Sequence, residues 1–190
     1  MHPAWSIIFF TSISGLGLGL AGWIVLGLMD LSLFLHLFLA ISAVFGLIGA
    51  GLLSSTLHLG HPERAWRALS QWRSSWLSRE GVLAILVLAS LGCWFLFTLF
   101  FGSPPLWCGI LILLMIVATV YATSMIYGSL KTVACWHHPL TPVCYLMFSA
   151  CGGSVASLTM LALFGQPTPE MLKEITLAFL VGAWALKYAW

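Results

Sequence analysis

The side chains with chemistry to offer are gathered in one stretch. It opens His58-Leu59-Gly60-His61-Pro62-Glu63-Arg64-Ala65, runs through Trp66, Arg67, Trp72, Arg73 and Trp76, and closes Leu77-Ser78-Arg79-Glu80. Four of the seven basic residues, two of the five acidic ones and two of the six histidines lie in it. His58 ends an apolar run, so it belongs at a membrane–water boundary. A neutral imidazole there can take a proton from a hydroxyl, because its unperturbed pKa is about 6.5. Glu80 opens the next apolar run at the same level, and an ionisable group at the edge of a membrane helix is a functional candidate. Both residues have structural alternatives; for Glu80 it is a pair with Arg79, Arg64 or a helix amino terminus.

A second polar cluster runs from Tyr127 through Lys131, Cys135, Trp136, His137 and His138 to Thr141-Pro142. It falls on the same side as the first, so Tyr127 and Lys131 can rim one pocket with His58, Arg64 and Glu80. Paired carboxylates, a nucleophile with its base and a phosphate loop are all missing from the sequence. That pattern argues against soluble catalysis by this chain alone.

What must position these residues is membrane-spanning helix. The chain has 190 residues, 61% of them hydrophobic and 6% charged, whereas soluble domains carry roughly 25% charged residues. A net charge of +2 gives no basic face for nucleic acid. A span needs about 20 apolar residues, which predicts an all-α, polytopic transmembrane bundle of six helices. They are Trp5–Met29, Leu31–Leu57, Gly81–Phe101, Leu106–Gly128, Thr141–Gly165 and Met171–Trp190. Asp30, Gly102-Ser103-Pro104-Pro105 and Gln166-Pro167-Thr168-Pro169 mark turns, since tandem or paired prolines cannot continue a helix. Short connections predict antiparallel neighbours. Gly15, Gly17, Gly19 and Gly22 sit inside an apolar span, where close helix packing is the natural reading. Gly46, Gly49, Gly51, Gly152 and Gly153 invite the same reading, and the last pair would also leave room for a flat ligand.

Between the second and third spans, Pro62 suits a first helical position and Glu63 a first turn. Trp66, Leu69, Trp72 and Trp76 follow at near-helical spacing. This predicts a short interfacial helix with indoles toward lipid and Arg67, Arg73 and Arg79 toward headgroups or a docked partner. Basic residues in the short loops put this side, with the amino terminus, in the cytoplasm.

Haem b would need two imidazoles at one depth on facing helices. His36 and His58 are about 33 Å apart along one helix and cannot share a haem. His58 with His137 or His138, or His36 with His2, lacks the expected pattern of histidines within helices. The cysteines at 93, 108, 135, 144 and 151 form no CxxC pair, and those in apolar runs read as small hydrophobes.

The motifs His58–Ala65 and Leu77–Glu80, with Met1-His2-Pro3-Ala4, the Tyr127–Pro142 cluster and Gly152-Gly153, resemble the membrane anchor subunits of the dimethyl sulfoxide reductase family. Within that family the sequence is most similar to anchors of membrane-bound sulfite-oxidising enzymes. The resemblance implies an anchor in the bacterial inner membrane that carries an iron–sulfur subunit and a molybdopterin catalytic subunit. It implies a quinone or quinol site (menaquinone or ubiquinone) without haem, and matches His58 to the family's quinol-site histidine. Molybdopterin and iron–sulfur clusters would reside only in the partners. Such anchors usually have eight helices, so this chain reads as a truncated member. Two rivals are a haem b-bearing anchor, which a visible absorption spectrum would reveal, and a purely structural anchor or a transporter. A transporter should carry charges on a broken mid-membrane helix, whereas the charges here lie at helix ends.

Overall fold

A computed structural model of the protein describes residues 5–56 and 62–190, with backbone only at 56, 62–65 and 68. Six long helices and one short one make up all of its regular structure among the described residues. They are α1 (Trp5–Val25), α2 (Phe34–Thr56), α3 (Trp76–Phe101), α4 (Leu106–Gly128), α5 (Leu140–Leu163) and α6 (Glu170–Ala189), with a 3₁₀ helix, Pro62–Gln71, between α2 and α3. The α1–α2, α3–α4 and α5–α6 connections are short and the α2–α3 and α4–α5 connections longer; the chain runs up and down, and the bundle has two distinct ends. The "loop end" carries the 3₁₀ helix and the α4–α5 connection. The "turn end" carries the α1–α2, α3–α4 and α5–α6 connections.

Five of the six, α1 to α5, are long and apolar enough to cross a membrane. The sixth span expected from the sequence does not meet that standard. At 20 residues it is about 30 Å long, but Glu170, Lys173, Glu174 and Lys187 lower its apolar content. The first two of these pair at 2.8 Å across one turn.

Three helix boundaries also differ from the sequence reading. Helix α3 begins at Trp76, not Gly81, because Ser75 caps it: the Ser78 N–H donates to Ser75 Oγ at 3.4 Å. The polar Ser78-Arg79-Glu80 therefore lies inside the helix, within its first five residues. Helices α1 and α2 are separated by residues 26–33 rather than by a turn at Asp30 alone. Gly27 takes a positive φ of 73° there, a conformation open to glycine at little cost. The Ser32 N–H donates to Asp30 Oδ1 at 3.0 Å, and this bond holds the exposed Asp30 carboxyl below its usual range. Gly102, with φ 85°, and Pro104-Pro105 end α3 and start α4 where the sequence places them.

In lipid the outer faces of apolar helices need no cover, so association depends on close packing of small residues. Helix α1 is the hub, packed against α2, α4 and α5. Gly17 and Gly51 seat α1 against α2, Gly109 seats α4 against α1 at Val25, and Gly19 and Gly153 bring the backbones of α1 and α5 into contact. A Cβ at Gly46 or Gly49 would meet nothing within 4 Å, so those two glycines do not serve the close packing expected of them. The core holds Leu20, Ile24, Val44, Ile48, Val87 and Leu91, all essentially inaccessible. The Trp23 indole N–H spans α1 to α5 by donating to the Ala150 carbonyl at 2.9 Å.

A clasp joins two connections at the turn end. Gln166 Nε2 donates to the Asp30 carbonyl at 2.8 Å and lies 3.1 Å from His36 Nδ1. The His36 ring stacks on Phe164 at 4.3 Å. His36 is therefore a packed, hydrogen-bonded residue.

Candidate functional site

At the loop end, the start of α3 faces the last turns of α4. Helix α3 buries Glu80, Ala84, Val87 and Leu91 along one stripe, and that stripe carries the Glu80 carboxylate inward with it. Glu80 is only 3% exposed. The Thr123 hydroxyl on α4 donates to Glu80 Oε1 at 2.6 Å and is 3.0 Å from the Thr119 carbonyl. Thr123 has a single proton and its oxygen can also accept. It can thus donate to an ionised Glu80, or donate to the Thr119 carbonyl while accepting from a protonated Glu80. Oε1 thus keeps a partner in both protonation states without moving a helix. An unmet hydrogen bond on a buried carboxyl is strongly destabilising, so this double fit matters.

The expected partner Arg79 faces elsewhere. Its Nε donates to the Trp72 carbonyl at 3.0 Å, its Nη2 to the Arg73 carbonyl at 2.7 Å, and its guanidinium lies 4.2 Å over the Trp76 ring. Arg79 therefore braces the loop against α3. Among the described residues no ion pair holds Glu80. Trp76 is not part of the loop helix; it opens α3 and packs edge-on against Tyr121 at 5.8 Å. Leu69 of the 3₁₀ helix packs over Gly81. That helix presents Trp66 and Arg67 outward, with Trp72 and Arg73 exposed after it. The Arg67 guanidinium lies 5.6 Å from the Trp66 ring. These four suit a headgroup layer or a docked surface.

Tyr127 lies at the end of α4, about one turn beyond Thr123. Its ring stacks on Tyr145 of α5 at 5.9 Å and meets Trp136 edge-on at 5.4 Å. The α4–α5 connection folds over these rings. His137 Nδ1 lies 2.6 Å from the Gly128 carbonyl, and the Thr141 hydroxyl donates to the Trp136 carbonyl at 2.8 Å. Lys131 is exposed on that connection. His58 and His61, and the side chain of Arg64, lie outside the described residues.

Beside this cluster is a cavity of about 550 Å³ between α1, α4, α5 and α6. Thr123 and Tyr145 line it, together with Gly15, Ser149 and Gly152 and, from α6, Trp184 and Lys187. Gly153 packs on α1 while its neighbour Gly152 faces the cavity, so this pair combines the packing and the open space expected of it. Sequence reasoning missed Thr123 and Tyr145. A hydroxyl inside an apolar helix is common and mostly bonds back to its own helix, so only the approach of α3 singles out Thr123.

The sequence is similar to those of known oxidoreductase components. The C subunit of the sulfite dehydrogenase of Allochromatium vinosum is 36% identical over 187 residues, covering 88% of the present sequence and 58% of that protein. The C component of the anaerobic dimethyl sulfoxide reductase of Escherichia coli is 33% identical over 131 residues, 66% of the present sequence and 46% of that protein. The YnfH component of an anaerobic dimethyl sulfoxide reductase of the same organism is 29% identical over 119 residues, covering 60% and 41%. The present sequence spans about half the length of these curated relatives. No solved structure matches it. The family model described as DMSO reductase anchor subunit (DmsC) matches residues 1–186. With five apolar helices of spanning length, this chain is a member of the DMSO reductase anchor subunit family.

Proposed function

We infer that this anchor exchanges electrons between the membrane quinone pool and an iron–sulfur subunit docked at its loop end, within a complex whose catalytic subunit holds molybdopterin. The observation that carries the reading is the Glu80–Thr123 pair. It is a buried carboxyl, able to hold or release a proton, between the polar loop and a membrane cavity. Oxidation of a quinol releases two electrons and two protons, and reduction of a quinone takes up the same. Iron–sulfur clusters take electrons singly and no protons. The anchor must therefore handle the protons itself, close to the end where the cluster docks.

In this reading His58 hydrogen-bonds one oxygen of the ring and exchanges its proton, and Glu80 carries the other proton between the cavity and water. Arg64, Tyr127 and Lys131 border the same end. Arg67, Arg73, Trp66 and Trp72 bind the iron–sulfur subunit or lipid headgroups. The loop end faces the cytoplasm of a bacterial inner membrane. The relatives' names give the two substrate classes, sulfite oxidation or sulfoxide reduction. Both place the same demands on the anchor.

The test is His58→Ala in the assembled complex. Turnover coupled to a quinone should fall by about 10²-fold or more, the scale of a lost general acid–base group. Turnover with an artificial electron dye and subunit assembly should stay as they were. Unchanged quinone kinetics would remove His58 from the site.

A further inference from the structure

The 3₁₀ helix between α2 and α3 is seated on the outside of the bundle. Its Leu69 packs over Gly81, coming within 2.8 Å of where a Cβ would stand. Gly81 is the sixth residue of α3, about 7.5 Å along the helix from its first. It shares a row with Leu77 and Ile85, four residues to either side, and both of those are exposed. The buried stripe of α3, from Glu80 to Leu91, follows a different row. The 3₁₀ helix packs on α3, whose own neighbours in the bundle are α4 and, more lightly, α2. It therefore hangs beside α3, over the lipid-facing row of a peripheral helix.

Residues three apart eclipse one another in a 3₁₀ helix. Trp66, Leu69 and Trp72 thus form one column, and Arg67, Ser70 and Arg73 the next; Trp72 and Arg73 follow directly on the last helical residue, Gln71. Leu69 is held against α3, while the indoles that flank it are 66% and 56% exposed. The two arginines are exposed as well, and among the described residues neither forms an ion pair. Lys131 and Lys187 are the other exposed charges described at this end, and its described carboxyl, Glu80, is buried. An indole suits the headgroup level, where its ring meets apolar matter and its N–H meets water. A guanidinium binds phosphate through two parallel hydrogen bonds. A docked subunit would stand on the end of the bundle, in water. These two columns lie at its side, where the neighbour is the bilayer.

We propose that the 3₁₀ helix is a docking surface for anionic phospholipid. Trp66 and Trp72 enter the headgroup layer beside α3, and Arg67 and Arg73 hold lipid phosphates. The proposal rests on the docking role given to these four residues above and narrows it to one partner. The α4–α5 connection, with exposed Lys131, Trp136 and His137, is then the surface left for the iron–sulfur subunit.

The probes are phosphatidylglycerol and phosphatidylcholine, each titrated into the assembled complex in detergent and counted on it by native mass spectrometry. The parent should bind phosphatidylglycerol about tenfold more tightly or better. A basic residue close to an anionic surface contributes about fivefold. Arg67→Gln or Arg73→Gln alone should therefore weaken phosphatidylglycerol about fivefold, and the two together should bring it to the level of phosphatidylcholine. Lysine at both positions keeps the charge and should keep most of the preference. Lys173→Gln, at the turn end, should bind like the parent. The double glutamine variant should retain the iron–sulfur subunit and quinone-coupled turnover. Equal affinity of the parent for the two lipids overturns the proposal. So does undiminished phosphatidylglycerol binding in the double glutamine variant, and the iron–sulfur subunit then shows how far the failure reaches. Its loss makes the occupant protein and keeps the docking role given above; its retention removes these residues from docking altogether.

Discussion

Glu80 and Thr123 form a pair in which one hydroxyl serves two protonation states of one carboxyl. Glu80→Gln keeps the volume and still accepts from Thr123, so the helices should pack as before. The proton is what it loses, and quinone-coupled turnover should drop at least tenfold while dye-coupled turnover is retained. Parallel assays with the two acceptors check this, and equal loss in both would mean that Glu80 serves assembly instead. The carboxyl itself was legible in the sequence, as an acid at the lip of an apolar run. Its partner was not. Of the pairings the sequence offers, Arg79 is drawn off by the Trp72 and Arg73 carbonyls and the Trp76 ring. That choice depends on how the loop doubles back on α3, which local sequence does not encode.

Among the elements, the helices follow from apolar run length, and their ends from glycine, proline and a serine cap. What run length does not report is which glycines touch. Gly19 and Gly46 look alike in sequence. One lies against the Ser149 carbonyl and Gly153, and the other faces open space. Gly19→Ala should destabilise the purified protein by about 2 kcal/mol or more, as an overpacked contact between backbones that cannot yield. Gly46→Ala should be neutral or stabilise by up to about 1 kcal/mol through helix propensity. Thermal unfolding in detergent compares them, and equal effects would contradict the α1–α5 contact. Helix α6 shows the opposite limit of sequence reading. It has the length of a span, but its four charges leave it outside the apolar class of the other five.

Across the whole molecule, the charged and reactive side chains are distributed by end. The loop end collects Arg67, Arg73, Arg79, Glu80 and Lys131, while the turn end has Asp30, Glu170, Lys173 and Glu174. The bias of arginine and lysine toward the loop end sets the orientation proposed above. Cys135, exposed on the α4–α5 connection, offers a direct check. A membrane-impermeant maleimide should label it in inside-out vesicles and leave it unlabelled in intact right-side-out ones. Labelling from the outside would invert the topology and place the partner subunits on the other face.

The Gly19–Gly153 crossing has a mechanical consequence. Two helices in backbone contact at one crossing, and joined beside it only through the Ser149 and Trp23 side chains, share a fulcrum. Helix α5 extends twelve residues from Gly153 to Thr141, an arm of about 18 Å. A rotation of about 5° at the crossing therefore shifts the Thr141 end by about 1.6 Å, close to the length of a bond, while the fulcrum stays put. The other arm of α5 leads to Phe164 and Gln166, which the clasp ties to His36 and Asp30. The clasp restrains one side of a lever whose other side borders the cavity at Thr141 and Tyr145.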